Sequence, residues 1–220
     1  RKIGFVNPEL GLINIDDPIP LHISAFGPKM RKMTAELNAG WINFVSAVPG
    51  AQTDITTMNE TRKAAGLDPA ACKTMGLTLG CELRNGEAYD SPRAKAQAGP
   101  AVAMIIHNMV EMSERGDLGI TTDNDFGEAV AAYRRFYDSY EPKDARYLAL
   151  HSGHLLFLKP EEEPLITGDM IRDLTFTATA PELRERIRAL QDMGYTQFTV
   201  QVVEGQEDAL DDWAGVIEGL

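Results

Sequence analysis

Pro18-Ile19-Pro20-Leu21-His22-Ile23-Ser24-Ala25-Phe26-Gly27-Pro28-Lys29-Met30, continued by Arg31-Lys32-Met33-Thr34-Ala35-Glu36-Leu37-Asn38-Ala39-Gly40-Trp41, reads as strand, tight turn and helix. Leu21, Ile23 and Ala25 alternate with His22 and Ser24 at the period of a strand. Gly27 permits a sharp turn, and Pro28 suits the first helical position because it has no N–H to leave unpaired. Met30, Met33, Thr34 and Leu37 recur at helical spacing and predict a helix over 28–37, packed by that face onto the strand. A helix starting directly behind a strand presents unpaired backbone N–H groups at its positive end, which suits a phosphate. The same junction also serves simply to turn a corner in an α/β protein, and its spacing is less specific than a P-loop.

Downstream, residues 41–45 read as a second strand and 53–65 as a helix stopped by Gly66 and Pro69, after a break at Pro49-Gly50. Residues 73–83 read as a third strand with Met75, Leu77, Leu79 and Cys81 on one face. Residues 84–172 then leave the βα alternation. Within them, 100–114 reads as a buried helix through Val102, Ile105, Ile106, Met109 and Met112. Gly116 to Asp123 reads as a loop, and 125–140 as a helix carrying Phe126, Val130, Tyr133 and Tyr137. Residues 145–158 read as helix around two histidines, with a short strand at 155–158 as the alternative. Thr179 and Glu182 form a capping box for a helix over 181–193. A strand at 197–203 follows, then a helix over 209–220 with Leu210, Trp213, Ile217 and Leu220 inward. Residues 1–19, punctuated by Asn7-Pro8, Gly11 and Asp16-Asp17-Pro18, read as a connector. The expectation is one α/β domain over 1–220, with a parallel sheet, crossover helices and a helical excursion at 84–172.

Composition narrows the function classes. The 220 residues are 44% hydrophobic and 25% charged, as in soluble globular proteins. A net charge of −12 without a Lys/Arg stripe excludes nucleic acid as a partner. No apolar run approaches the roughly 18–20 residues of a membrane span. Cys72 and Cys81 lack metal-site spacing and read as buried free thiols in a reducing cytoplasm. Glu161-Glu162-Glu163 reads as solvated surface. No nucleophile elbow, Gly-x-Gly-x-x-Gly or paired-cysteine zinc motif is present. His151 and His154 are the one close histidine pair, open to three readings: helix-packing residues, lining of a substrate mouth, or metal ligands without a convincing carboxylate or cysteine nearby. No metal is assigned. His22 reads as structural, and His107 as exposed, off the apolar face of its helix.

The opening stretch resembles the phosphate-binding turn of the bacterial luciferase-like family, the flavin- and deazaflavin-dependent TIM-barrel oxidoreductases. There a Pro-x-Pro-hydrophobic strand ends in Ala-x-Gly-Pro-Lys or a Ser/Thr-rich equivalent, and a helix follows. Ala39 departs from the pattern, standing where acidic residues are common before the next strand. A second resemblance covers Thr179-Ala180-Pro181-Glu182-Leu183-Arg184-Glu185-Arg186-Ile187, like the family's late helix, and Gly194-Tyr195-Thr196-Gln197-Phe198-Thr199-Val200, like its last barrel strand.

The resemblance implies a (β/α)8 barrel of which this chain supplies the C-terminal half, since a complete one takes about 250 residues. It implies a flavin-dependent, monooxygenase-like oxidoreductase binding reduced FMN or coenzyme F420. Phe26 and Gly27 would offer backbone N–H groups to the cofactor phosphate, with Lys29 and Met30 extending the nest behind Ala25. The Gly-Pro-Lys turn is more like F420-type and methylenetetrahydromethanopterin reductase-like members. The family's reaction-centre residues come largely from early strands, so no catalytic residue is named. A cytoplasmic homodimer or higher oligomer acting on a small molecule is expected, with 91–172 shaping substrate selection. A non-catalytic flavin-binding partner subunit and a flavin-free sugar-phosphate barrel enzyme are the alternatives.

Overall fold

The β-period of residues 21–25 yields strand β1 (His22–Ser24), followed by α1 (Pro28–Glu36), β2 (Gly40–Phe44), α2 (Val48–Ala64) and β3 (Thr74–Thr78). This computed structural model describes residues 4, 7–11, 17, 19–116 and 125–220; most of the expected loop at 116–123, and Asp16 and Pro18 of the connector, lie outside them. The short strand β4 (Glu82–Leu83) leads to helices α3 (Pro92–Glu114), α4 (Asp125–Ser139), α5 (Tyr147–Leu150) and α6 (Gly168–Leu174). The chain then returns through β5 (Ala178–Thr179), α7 (Ala180–Met193), β6 (Gln197–Val200) and α8 (Ala209–Glu218).

Four strands form a parallel sheet in the order β1-β2-β3-β6, and β4 pairs with β5, also in parallel. The expected strand at 73–83 is therefore two strands with different neighbours. Past Thr78 the chain takes a new partner: the Leu79 carbonyl accepts from the Phe176 N–H at 3.0 Å, and the Cys81 carbonyl from Ala178 at 3.2 Å. Gly80 makes this approach possible, since a Cβ there would overlap the Phe176 carbonyl.

One sheet face presents Trp41, Asn43, Val45, Thr74 and Thr78, all buried. Trp41 and Val45 pack with Ile55, Met58, Leu183 and Trp213 of the helical layer. The opposite face carries Ile42, Phe44, Met75 and Leu77, each half-buried. A second core lies among α3, α4 and α6, built on Val102, Ile106, Tyr133, Leu150 and Ile171. A small cluster of Leu79, Ala101 and Val203, with Phe44 and Leu155 against it, joins the excursion to the strand ends.

Several helices depart from expectation for local reasons. Helix α2 begins at Val48 rather than 53, because proline is tolerated in a first turn and Pro49 sits there. Helix α3 begins at Pro92, behind Ser91 whose side chain accepts from the Ala94 N–H, and runs through Pro100. The helix expected over 145–158 is only α5, and no strand forms at 155–158; Gly153 (φ 74°) and Leu155 (φ 59°) take left-handed conformations that end it. The capping box at Thr179 and Glu182 is present, and Gly194 ends α7 in the left-handed region. Strand β6 stops at Val200 rather than 203. In α8 the inward residues are Ala209, Trp213 and Val216; Leu210, Ile217 and Leu220 are exposed. Cys72 and Cys81 are free and buried, and burial pushes the Cys81 thiol up to about 12. Among the described residues no helix is long and apolar enough to cross a membrane.

Candidate functional site

The turn between β1 and α1 is fixed from behind. Ala25 is fully buried; its N–H donates to the Ile42 carbonyl at 3.4 Å, and its carbonyl accepts from Trp41 Nε1 at 2.9 Å. Gly27 is the extended N-cap (φ −88°, ψ 163°), Pro28 follows in the first turn, and the Gly27 carbonyl accepts from the Arg31 N–H at 3.0 Å. The amides of Lys29 and Met30 therefore head the helix without an intrahelical partner. The approach is open: Phe26 is 61% exposed, Lys29 is exposed, and a Cβ on Gly27 would meet nothing within 4 Å.

Of the face of α1 expected inward, Thr34 is buried, whereas Met30, Met33 and Leu37 are exposed and Arg31 and Ala35 are buried in their place. Arg31 is held by Asp54 of α2 at 2.5 Å and lies over the Trp41 ring, 5.6 Å from its centroid. Asn43 Nδ2 donates to Asp54 Oδ2 at 3.3 Å and to the Tyr195 hydroxyl at 2.8 Å; that hydroxyl donates to the Ala51 carbonyl at 3.2 Å. This polar chain ties α1, β2, α2 and the start of β6 into one support behind the turn. A buried charge needs such partners, but a lone Arg in a helix and a lone Asn in a strand carry no sequence signal that they will find each other.

The histidines regroup. His107, expected to be exposed, is buried at 3% exposure. Ala103, Ile106, His107 and Val110 are all buried and follow helical spacing, so the signal was present but read one face away. Glu162, expected on the solvated surface with its neighbours, is also buried. It accepts from His107 Nε2 at 2.7 Å, from the Tyr133 hydroxyl at 2.9 Å and from the Lys159 N–H at 2.8 Å, with Lys159 Nζ at 3.1 Å. Burial pushes the Glu162 carboxyl up, but the His107 and Lys159 hydrogen bonds outweigh it and hold the group below the ordinary range. Burial likewise lowers His107 against the pull of Glu162, and lowers His154 together with the neighbouring histidines. His151 and His154 share a turn rather than a helix face, with their Nδ1 atoms 3.3 Å apart. Their loop is seated on the strand ends by Leu155, whose carbonyl accepts from Gln201 Nε2 at 3.1 Å. His22, in β1, lies against Gly40 of β2.

No family model matches the chain, and no curated protein matches it. Among solved structures it is similar to the coenzyme F420 dependent tetrahydromethanopterin reductase from Methanopyrus kandleri, at 18% identity and a TM-score of 0.50, over 88% of this chain and 48% of that chain. Weaker likenesses are to an F420-dependent secondary alcohol dehydrogenase in complex with an F420-acetone adduct (17% identity, TM-score 0.46, 92% of this chain and 50% of that one) and to DmoA from Hyphomicrobium sulfonivorans (14%, 0.40, 93% and 43%). The chain spans about half the length of these structures. The first likeness establishes a shared α/β fold with a parallel sheet and bears on nothing finer.

Proposed function

We propose that this chain is the cofactor-phosphate-binding half of a luciferase-like TIM-barrel oxidoreductase that uses reduced FMN or coenzyme F420. The observation that carries the reading is the β1–α1 turn. Two helix-heading amides, an unobstructed Gly27 and an exposed Lys29 fit a phosphate, on a turn anchored by the Ala25–Trp41 hydrogen bond. The fold shared with part of an F420-dependent reductase and the half-buried sheet face bearing Ile42, Phe44, Met75 and Leu77 support it. On this reading that face lines the interior of a barrel completed by a second β/α half.

When bound, the cofactor supplies the redox chemistry, passing a hydride or activating oxygen. This chain's residues bind and orient. Lys29 and Met30 hold the phosphate through their amides, and Phe26 and Gly27 shape its approach. The Arg31–Asp54–Asn43–Tyr195 chain keeps α1 from shifting. The excursion at 84–172 belongs to the same domain, meets the strand ends through Leu155, and shapes substrate selection there.

Fluorescence titration of the full-length protein with FMN and with F420 tests the proposal. Saturable binding of one of them is expected, and its absence for both overturns the reading.

A further inference from the structure

We infer that His107, His151 and His154 form a binding site for a divalent transition-metal ion of the zinc class. One ring nitrogen from each residue lies within 4.8 Å of one from each of the others. The Nδ1 atoms of His151 and His154 are 3.3 Å apart. Two nitrogens bound tetrahedrally to zinc at about 2.0–2.1 Å stand about 3.3 Å from each other.

The surrounding groups decide which ring nitrogens are left free. Glu162 takes the Tyr133 hydroxyl on Oε1 and the Lys159 N–H on Oε2, and a carboxylate oxygen accepts, so in the 2.7 Å contact with Oε1 His107 Nε2 is the donor. His107 Nδ1 is left as a buried acceptor with no partner, on a residue 3% exposed. An orphaned polar atom at such depth is uncommon and asks for a ligand. His151 repeats the arrangement: its Nε2 lies 3.3 Å from Glu111 Oε1, leaving Nδ1 for the cluster. A carboxylate behind each of two histidines is the outer shell that metal-ligating imidazoles use to fix tautomer and ring orientation.

The third histidine faces solvent, so the site is buried on one side and open on the other. Three protein ligands with an open position leave room for water or an oxygen donor of a small molecule. The loop supplying His151 and His154 holds Gly153 and Leu155 in left-handed conformations, and a backbone kept there in a non-glycine residue is held by its surroundings. Leu155 in turn rests on the strand ends, so a bound ion would clamp α3, this loop and the mouth of the sheet together. The inference is independent of the flavin or F420 reading.

The test uses untagged full-length protein stripped with a chelator, then titrated with Co2+ and with Zn2+. One equivalent of Co2+ is expected to produce the intense visible absorption of a tetrahedral nitrogen site, and Zn2+ to displace it and raise Tm. His154→Ala changes an exposed side chain and is expected to keep the metal-free Tm while losing the Co2+ spectrum. Glu111→Gln is expected to weaken metal affinity about 10–100-fold. Absence of saturable binding in the unaltered protein overturns the inference, as does binding that survives His154→Ala and His151→Ala.

Discussion

Gly27→Asp separates a helix end that binds an anion from one that merely turns the chain, because the substitution acts with opposite signs on stability and binding. Gly27 has φ −88° and open space where a Cβ would stand, so aspartate enters without strain. Aspartate is a better N-cap than glycine by a few tenths of a kcal/mol, and its charge at the helix N-terminus contributes roughly 0.3–1 kcal/mol more. The variant should therefore gain about 0.5–1 kcal/mol, a rise in Tm of roughly 1–4 °C for a domain of this size. The same carboxylate stands where the phosphate must come. Like charges about 4 Å apart repel by about 1–4 kcal/mol between bulk water and an effective dielectric constant of 20. Cofactor affinity should fall at least about fivefold, and toward a thousandfold if the site is well shielded. Thermal unfolding and fluorescence titration on the same preparation read both quantities. A raised Tm with unchanged cofactor affinity would refute the reasoning, because the helix end would be intact and the phosphate elsewhere.

Gly80→Ala should destabilise by more than about 3 kcal/mol or prevent folding, because its Cβ meets the backbone carbonyl of Phe176 rather than a side chain that can move. Gly215→Ala, in an exposed turn of α8 with nothing within 4 Å of its Cβ, should instead stabilise by about 0.5–1 kcal/mol in the same urea titration. Tyr195→Phe leaves the Asn43 amide short of a buried partner and should cost about 1–3 kcal/mol by chemical denaturation. For acid stability, the hydrogen bond from Arg93 lowers Glu87 from 4.5 to about 2, so the unfolded chain takes up that proton first as pH falls. The contribution is complete above pH 4.5 and lost on the way down to about 2. Allowing for solvent screening it amounts to about 1–2 kcal/mol, and Glu87→Gln should flatten that part of a pH-dependent unfolding series.

What the sequence disclosed follows from the range over which each signal acts. The β1–α1 turn, the stop at Gly66 and the capping box at Thr179 depend on residues within one turn of each other, and each is where the pattern placed it. The alternation of β3 was legible and put Met75 and Leu77 on one face, but that face is only half-buried and Thr74 and Thr78 on the other are the buried ones. Faces were harder. In α1 the methionines look like core, but β1 is the sheet's edge strand and leaves them uncovered, while Arg31 goes inside because Asp54 and Trp41 are there to receive it. Glu162 sits in an acidic run between half-buried Glu161 and exposed Glu163; its burial depends on His107 and Tyr133, brought to it from distant positions, and on Lys159 three residues before it. The histidine cluster was half legible for the same reason. His151 and His154 are three residues apart, whereas His107 reaches them only through the packing of α3 beside the loop.

Amide hydrogen exchange of the full-length protein, with and without saturating FMN or F420, tests the phosphate turn most directly. The amides of Lys29 and Met30 have no intrahelical acceptor and should exchange quickly in the free protein. The account predicts that bound cofactor slows these two amides and their neighbours at Phe26 and Gly27. Saturation with cofactor that leaves them fast, while protecting amides elsewhere, would contradict it.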